Sequence, residues 1–319
     1  MLNRTSASAR CAFLVVAAVA TAAAAQTPAA PPNGGSPPAQ ASPNVTMAPL
    51  NAPKNTIYIA SGSTASNNGI IIGDDGVILV DTGVSTAAEQ LELDQIAKLT
   101  TKPITTAIVT HSDADHVNGL AVLPAGIAII AQENCKKEME AAATATPQGP
   151  AGQNTPKVRL PTKTIARKGS MTIHGVRFQF LHVAPAHTSG DLIIYLPDEK
   201  TVFAGDILAD NMPYPLIHLE KNGSSEGWIE TVTAMVALDA NVFVPGHGSV
   251  HTKAEIEQRL ASVKQRRAQI QSLVREGKTL DEIKQQLGET APAAPVGGRG
   301  LRFASFTEVV YQELTKKNT

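Results

Sequence analysis

The chain has 319 residues, of which 27 are lysine or arginine and 28 are aspartate or glutamate, so its formal net charge is −1. Its hydrophobic content of 43% is ordinary for a globular protein and allows one good-sized core or two modest ones. No basic stripe with interleaved aromatic residues is present, so we do not expect nucleic acid as a partner.

Residues 1–25 have the organisation of a secretory signal peptide. Arg4 and Arg10 precede an apolar run from Cys11 to Ala25, which is typical of an export signal with cleavage after Ala25. The run is short for a membrane span, so an uncleaved anchor is the less favoured alternative. The sequence predicts a secreted or periplasmic protein with no membrane span after cleavage, in which Cys135 has no cysteine to pair with.

Composition divides the rest of the chain into three segments. Residues 26–53 are rich in Pro, Ala, Asn, Gly and Ser and have almost no large apolar side chains, which predicts a disordered linker. Residues 54–252 mix short β-branched runs with helical patterns and predict an α/β catalytic domain, with a loop or lid at residues 142–161. Residues 253–319 predict a helical extension, with capping-box patterns at Thr279/Glu282 and Ser305/Glu308.

The catalytic segment begins with strands. Gly73-Asp74-Asp75-Gly76 predicts a hairpin turn, and residues 85–99 carry apolar side chains mostly at helical steps. The stretch from Ile104 to Thr110 predicts a buried strand that leads directly to His111. We further expect strands at residues 127–130, 171–173, 176–182, 192–196, 201–204 and 241–244, and a helix at residues 225–238.

The segment that follows this buried strand is rich in potential metal ligands. It reads His111-Ser112-Asp113-Ala114-Asp115-His116, and imidazole and carboxylate groups are ligands for zinc and similar divalent metals. The alternating spacing lets His111 and Asp113 face one way and Asp115 another, with His116 turned to the side of Asp115. One short loop could therefore serve two neighbouring metals. The alternative is a polar loop in which Asp115 caps a helix.

Three later positions also come directly after, or between, predicted strands. His187 lies in Ala-His-Thr-Ser-Gly-Asp, Asp206 follows Phe-Ala-Gly, and His247 lies in Pro-Gly-His-Gly. Because strand ends converge at one edge of a sheet, we expect these side chains to gather there. Asp81, in Val-Asp-Thr-Gly, precedes them in the chain.

These motifs, in this order, resemble those of the metallo-β-lactamase superfamily over roughly residues 56–252. The resemblance implies a four-layer αβ/βα sandwich, here with extra C-terminal helices. It also implies two metals that share a water, lower its pKa and generate a hydroxide that attacks the substrate.

Roles for individual residues follow from the same resemblance. His111 and His187 resemble ligands of the first metal. The second metal has Asp115, His116 and His247 as ligands, and Asp206 bridges both ions. Asp115 also orients or deprotonates the attacking water, and Asp81 fixes the ligand loop through hydrogen bonds.

Asp113 departs from the family pattern, which usually has histidine at this position. A carboxylate can also bind a metal, but its charge favours harder ions such as Mn or Fe. Alternatively, Asp113 binds no metal and only the second site fills. We therefore expect one or two zinc ions, with iron or manganese as alternatives because of Asp113.

The expected function is hydrolysis of a small-molecule ester, thioester, lactone or amide. Asp206 resembles the bridging carboxylate of the glyoxalase II, lactonase and sulfatase-like branches, whereas true β-lactamases usually carry Cys or Ser there. A β-lactamase-type hydrolase, an iron-bound redox relative and a non-catalytic metal-binding protein remain alternatives. His218 and Tyr214 lie in the segment after the Asp206 strand, where the family places substrate-facing loops, and both are candidate substrate contacts. A surface position is the alternative for His218. The sequence leaves the oligomeric state open.

Overall fold

The computed structural model describes residues 43–144, 159–210, 212–289 and 303–316, which belong to one compact unit. The predicted signal peptide lies outside the described residues, as does the predicted linker up to residue 42. Most of the predicted lid, residues 145–158, also lies outside them.

The first sheet has seven strands in chain order, antiparallel through its first four and parallel from the fourth to the seventh. Its hairpin between the third and fourth strands forms at the predicted Gly-Asp-Asp-Gly turn, where Gly73 N donates to Gly76 O. The strands are β1 (Val45–Leu50), β2 (Thr56–Gly62), β3 (Asn68–Ile72), β4 (Val77–Val80), β5 (Ile104–Ile108), β6 (Ala128–Gln132) and β7 (Lys163–Ile165).

The second sheet has six strands in the order β13-β12-β11-β10-β9-β8. Its β11 and β12 pair in parallel, and its other neighbours are antiparallel. The strands are β8 (Lys168–Ile173), β9 (Val176–Leu181), β10 (Ile193–Leu196), β11 (Thr201–Ala209), β12 (Val242–His247) and β13 (His251–Thr252).

Helices cover the outer faces of both sheets. A short 3-10 helix at Asn118–Val122 follows α2, and another lies at Leu219–Lys221. None of the helices in the described ranges combines the length and apolar character that a membrane span requires. The helices are α1 (Thr86–Leu99), α2 (Ala114–Val117), α3 (Glu133–Thr144), α4 (Ser225–Val236), α5 (Lys253–Arg275), α6 (Leu280–Gln286) and α7 (Phe306–Thr315).

Three apolar clusters separate the four layers. Between the sheets, Ile78 and Ile108 of the first sheet belong to one cluster with Phe178 and Phe203 of the second. A second cluster joins the outer face of the first sheet to α1 and α3, and a third joins the second sheet to α4, α5, α6 and α7. Because the central strands β4, β10 and β11 are buried along their whole length and so on both faces, the sheets form the inner layers and the helices the outer ones. The predicted four-layer sandwich with C-terminal helices is confirmed.

The prediction of a disordered linker over residues 26–53 is wrong at the C-terminal end of this segment. Residues 45–50, expected to be disordered, form β1, which pairs with β2 from Val45–Gly62 to Leu50–Ile57. The edge of β2 supplies strand partners that composition cannot reveal, and Val45 is buried in the apolar cluster on the outer face of the first sheet. The lid prediction also began too early, since α3 continues to Thr144.

Helix α1 buries two carboxyl groups beneath the ligand-rich loop. Glu89 and Glu92 are fully buried, whereas Leu99 at the end of the helix is exposed. Glu89 accepts from Gly83 N, and Glu92 accepts from Asn68 Nδ2 at 2.6 Å. Burial raises the pKa of Glu89 to about 7 and holds the pKa of Glu92 well above its usual range, and the charge of Glu89 adds to the latter shift.

We predict that Glu92→Gln stabilises the protein at alkaline pH. A raised folded-state pKa keeps Glu92 protonated where the unfolded chain ionises, above about pH 4.3, so stability falls as pH rises toward the folded pKa. Glutamine keeps an oxygen that accepts from Asn68 but has no charge. Thermal unfolding should show a Tm about 2–4 °C higher at pH 8 and a smaller difference near pH 5. A lower Tm at pH 8 would contradict this account.

Candidate metal centre

The candidate site lies where strands of the two sheets end at a common edge. In the first sheet, β5 delivers Thr110 and His111, and it runs parallel to β4. In the second sheet, β11 carries Asp206 and the parallel β12 ends at His247. His187 lies in the loop between β9 and β10. The strand ends therefore bring together residues that are up to 136 positions apart, from His111 to His247.

Asp81 holds the ligand-rich loop in place through hydrogen bonds. It follows β4 in a left-handed backbone conformation with φ of 63° and is buried. Its carboxylate accepts from Thr110 N at 2.7 Å, from Thr110 Oγ1 at 2.7 Å and from His116 Nδ1 at 2.9 Å. Because His116 donates through Nδ1, its Nε2 is the nitrogen left for a metal.

The loop turns at Asp113, which is the N-cap residue of α2 but makes no side-chain capping bond. Its carboxylate points instead toward the histidines. Asp115 lies in the first turn of α2, so the alternative in which Asp115 caps this helix is wrong. Glycine at position 246, in β12, lets this strand pack closely against Asp206, because a Cβ at that position would collide with the Asp206 carboxylate.

The first ligand group combines His111, Asp113, His187 and Asp206, whose ligand atoms all lie within 4.8 Å of one another. Asp113 Oδ2 is 3.6 Å from His111 Nε2 and 3.2 Å from His187 Nε2. Leu216 O accepts from His187 Nδ1 at 2.8 Å, which turns Nε2 of His187 toward Asp113.

The second ligand group combines Asp115, His116 and His247, again within 4.8 Å. His247 Nε2 lies 3.2 Å from Asp115 Oδ2, and His116 Nε2 lies 3.8 Å from the same oxygen. Asp206 stands between the groups. Its Oδ1 is 3.3 Å from His116 Nε2, and its Oδ2 is 3.3 Å from His247 Nε2 and 3.9 Å from His187 Nε2.

The site balances buried carboxylates against imidazoles. Burial acts to raise the pKa of Asp113, but His111, His187 and His218 outweigh it and hold this pKa far below its usual range. Burial likewise acts against the charged form of His187, yet the Asp113 carboxylate raises its pKa to about 9. Asp115 and Asp206 overcome burial of His247 and raise its pKa to about 10.

The donor set fits a divalent metal. Nε2 of His111, Nε2 of His116 and Oδ1 of Asp206 are buried without a hydrogen-bond partner among the described residues. Unpartnered buried polar atoms are unfavourable unless something else binds them. Ligand atoms at 2.0–2.1 Å from a tetrahedral zinc lie about 3.3 Å from one another, and several separations in both groups are close to this value.

Of the two tentative substrate contacts, only His218 lies at the ligand groups. Its Nε2 is 3.2 Å from Asp113 Oδ2. Tyr214 instead stacks on Phe306 with ring centroids 5.5 Å apart, and the guanidinium carbon of Arg266 lies 4.7 Å from the centroid of the Tyr214 ring. Phe306 and Arg266 belong to the C-terminal helices α7 and α5. The packing of these helices against the loop that carries Tyr214 could not be predicted from the sequence.

Lys221, which the sequence did not predict as a site residue, also lies at Asp113. Its ammonium pairs with Asp113 Oδ1 and donates to Ser112 Oγ at 3.0 Å. Ser112 in turn donates to Glu138 of α3 at 2.5 Å. Lys221 is 108 positions from Asp113, so no local sequence pattern could predict that they pair. The pair forms because the loop after β11 returns to the start of α2.

The curated proteins that are similar to this chain are named for several different activities. The chain is 25% identical over 221 residues to a linear primary-alkylsulfatase from Pseudomonas sp., covering 56% of this chain but only 40% of that protein. It is 27% identical over 244 residues to the 2,4-dinitroanisole O-demethylase subunit alpha of Nocardioides sp., covering 75% and 70% of the two chains. It is 31% identical over 134 residues to the hydroxyacylglutathione hydrolase of Idiomarina loihiensis, covering 42% of each.

Solved structures share the fold. A metallo-beta-lactamase from Pontibacter korlensis superposes with a TM-score of 0.57 at 18% identity, covering 69% of this chain and 99% of that one. A stereoselective inverting sec-alkylsulfatase from Pseudomonas sp. gives 0.62 at 19% identity, covering 81% and 49%. The family model of the metallo-beta-lactamase superfamily matches residues 62–247, more than half of the chain. The chain therefore belongs to the metallo-beta-lactamase superfamily, a family of metal-binding hydrolases that act on small molecules.

Proposed function

We propose that this chain is an exported metal-dependent hydrolase that cleaves a small ester, thioester, lactone or amide. The observation that carries the proposal is the meeting of two ligand groups at Asp206, with unpartnered imidazole nitrogens turned toward carboxylates. We propose one ion for each group, and zinc as the resident metal, since imidazole and carboxylate donors suit it. Asp113 makes iron or manganese the alternatives.

A bound divalent ion supplies Lewis acidity, which lowers the pKa of a coordinated water and polarises the bond to be cleaved. We assign to Asp115 the orientation of the attacking water and the removal of its proton. The Asp115 side chain is 28% exposed, compared with 15% for Asp113 and 6% for Asp206. Asp115 is therefore the carboxylate of the two groups that substrate and water can reach most easily.

Two observations support the proposed substrate class: the family branch that Asp206 resembles, and the activities named for the similar proteins. Asp206 between the two groups supports a glyoxalase II-like or lactonase-like hydrolase over a true β-lactamase. A sulfate ester is the second candidate. An alkylsulfatase is among the curated relatives, and a solved alkylsulfatase covers 81% of this chain compared with 69% for the Pontibacter korlensis lactamase.

Export is supported by the N-terminal sequence. Arg4 and Arg10 followed by the apolar run at residues 11–25 have the pattern of a secretory signal. We propose that the mature protein begins near Gln26 and acts in the periplasm or outside the cell.

The proposed function predicts that metal removal abolishes hydrolysis. Purified protein should contain about two ions per chain by mass spectrometry of its metals. Dialysis against a strong chelator should remove both the ions and the activity, and Zn²⁺ should restore activity. The assay panel is a p-nitrophenyl ester, an S-acyl thioester, a lactone, a primary alkyl sulfate and a β-lactam. Turnover that persists in metal-free protein would rule out the proposal.

We predict that Asp115→Asn lowers kcat by about 10²–10⁴-fold, the usual contribution of a positioned general base. The amide keeps an oxygen for the metal but is a poor proton acceptor. Metal content should stay within the range of the unsubstituted protein. Unchanged kcat at full metal content would assign proton removal to another group.

We predict that Asp81→Asn weakens metal binding by about 10–100-fold, as loss of a hydrogen-bond partner of a ligand usually does. An amide oxygen carries no charge to hold the three donors that Asp81 now binds. Competition with a chromophoric chelator measures the affinity. Asp239→Asn is the matched control, because the Asp239 side chain is 79% exposed and pairs with Lys200. Equal affinities for both variants would contradict the role of Asp81.

A further inference from the structure

His218 lies against the first ligand group although it is not part of the ligand-rich loop. It directly precedes the 3-10 helix at Leu219–Lys221, and its backbone N donates to His187 O at 2.9 Å. Its ring meets the His187 ring edge-on, with centroids 4.7 Å apart. This backbone bond fixes the two imidazoles side by side.

The two ring nitrogens of His218 have different surroundings. Glu220 accepts from Nδ1, while Nε2 is buried and has no hydrogen-bond partner of good geometry among the described residues. The side chain is only 7% exposed. A histidine that donates through one nitrogen to a carboxylate and presents the other to a point shared with further donors has the arrangement usual for metal ligands.

Three imidazole nitrogens lie around Asp113 Oδ2 at separations expected between donors of one metal ion. This oxygen lies 3.6 Å from His111 Nε2, 3.2 Å from His187 Nε2 and 3.2 Å from His218 Nε2. Donors of a tetrahedral zinc are about 3.3 Å apart. Lys221 engages the other oxygen, Oδ1, so only Oδ2 of Asp113 faces the three nitrogens.

We propose that His218 is a ligand of the metal held by the first group, with His111, Asp113 and His187. The inference rests on the proposed function. It adds a third imidazole to the first ligand group, which has only His111 and His187 because Asp113 replaces the usual histidine. Histidine is expected at position 113 from the family pattern, and here a different loop supplies the third ring. Three imidazoles beside the carboxylates of Asp113 and Asp206 favour zinc more than a set with two imidazoles does.

The test replaces His218 with a residue that leaves a spectroscopic signature. In Co²⁺-loaded His218→Cys protein, a thiolate ligand should produce a sulfur-to-metal charge-transfer band in the near ultraviolet. The unsubstituted protein should lack this band, because its Cys135 is buried in the apolar cluster beside Met139. Absence of the band at full cobalt loading would overturn the proposal.

A second measurement uses His218→Ala and a matched histidine. We expect His218→Ala to lose one ion per chain under a chelator concentration that leaves the unsubstituted protein fully loaded. His251→Ala is the control, because His251 is also partly buried and pairs with a carboxylate, that of Asp210 at 2.5 Å. Circular dichroism and Tm identify a variant that fails to fold, in which case the cysteine variant decides.

His111→Ala separates this proposal from the proposed function. If His111→Ala loses metal but neither His218 variant differs from the control, only the role of His218 is refuted. If His111→Ala also keeps its full metal content, the metal centre itself is refuted. Loss of one ion in both His111→Ala and His218→Ala, together with the charge-transfer band, supports both.

Discussion

A single buried carboxylate, that of Asp81, determines where the ligand-rich loop can lie. It holds the backbone and hydroxyl of Thr110 at the end of β5 and the ring of His116 at the start of α2. Charge-assisted hydrogen bonds of this kind are about twice as strong as neutral ones. Because both ends of the loop are fixed by one group, His111 and Asp113 turn toward the first ligand group and Asp115 and His116 toward the second.

Much of the fold and site could be predicted because their signals are local. The hairpin at residues 73–76, the strand that leads to His111 and the capping boxes at Thr279 and Ser305 each depend on neighbours within a few positions. Five of the seven ligand-type residues also follow a rule of position, since His111, Asp113, Asp115 and His116 come after β5 and His247 ends β12. Their sorting into two groups agrees with the spacing of the loop.

What could not be predicted depends on contacts between distant segments. β1 is a strand because β2 offers a free edge, and its own composition is that of a linker. Glu89 and Glu92 occupy the buried side of α1 because Gly83 and Asn68 provide hydrogen bonds there. The approach of Lys221 and His218 to Asp113 similarly requires a loop of the second sheet to cross to the first. Side-chain periodicity contains no information on such partners.

The division of each ligand group between the two sheets has a mechanical consequence. His111 and Asp113 belong to the first sheet's loop, whereas His187 and Asp206 belong to the second sheet. His116 and His247 are divided in the same way. A bound ion would therefore act as a cross-link between the layers, in addition to the apolar cluster between them. Hydrogen exchange of β5 and β12 should then slow together when metal is added, because separation of the sheets at this edge would require the ion to leave.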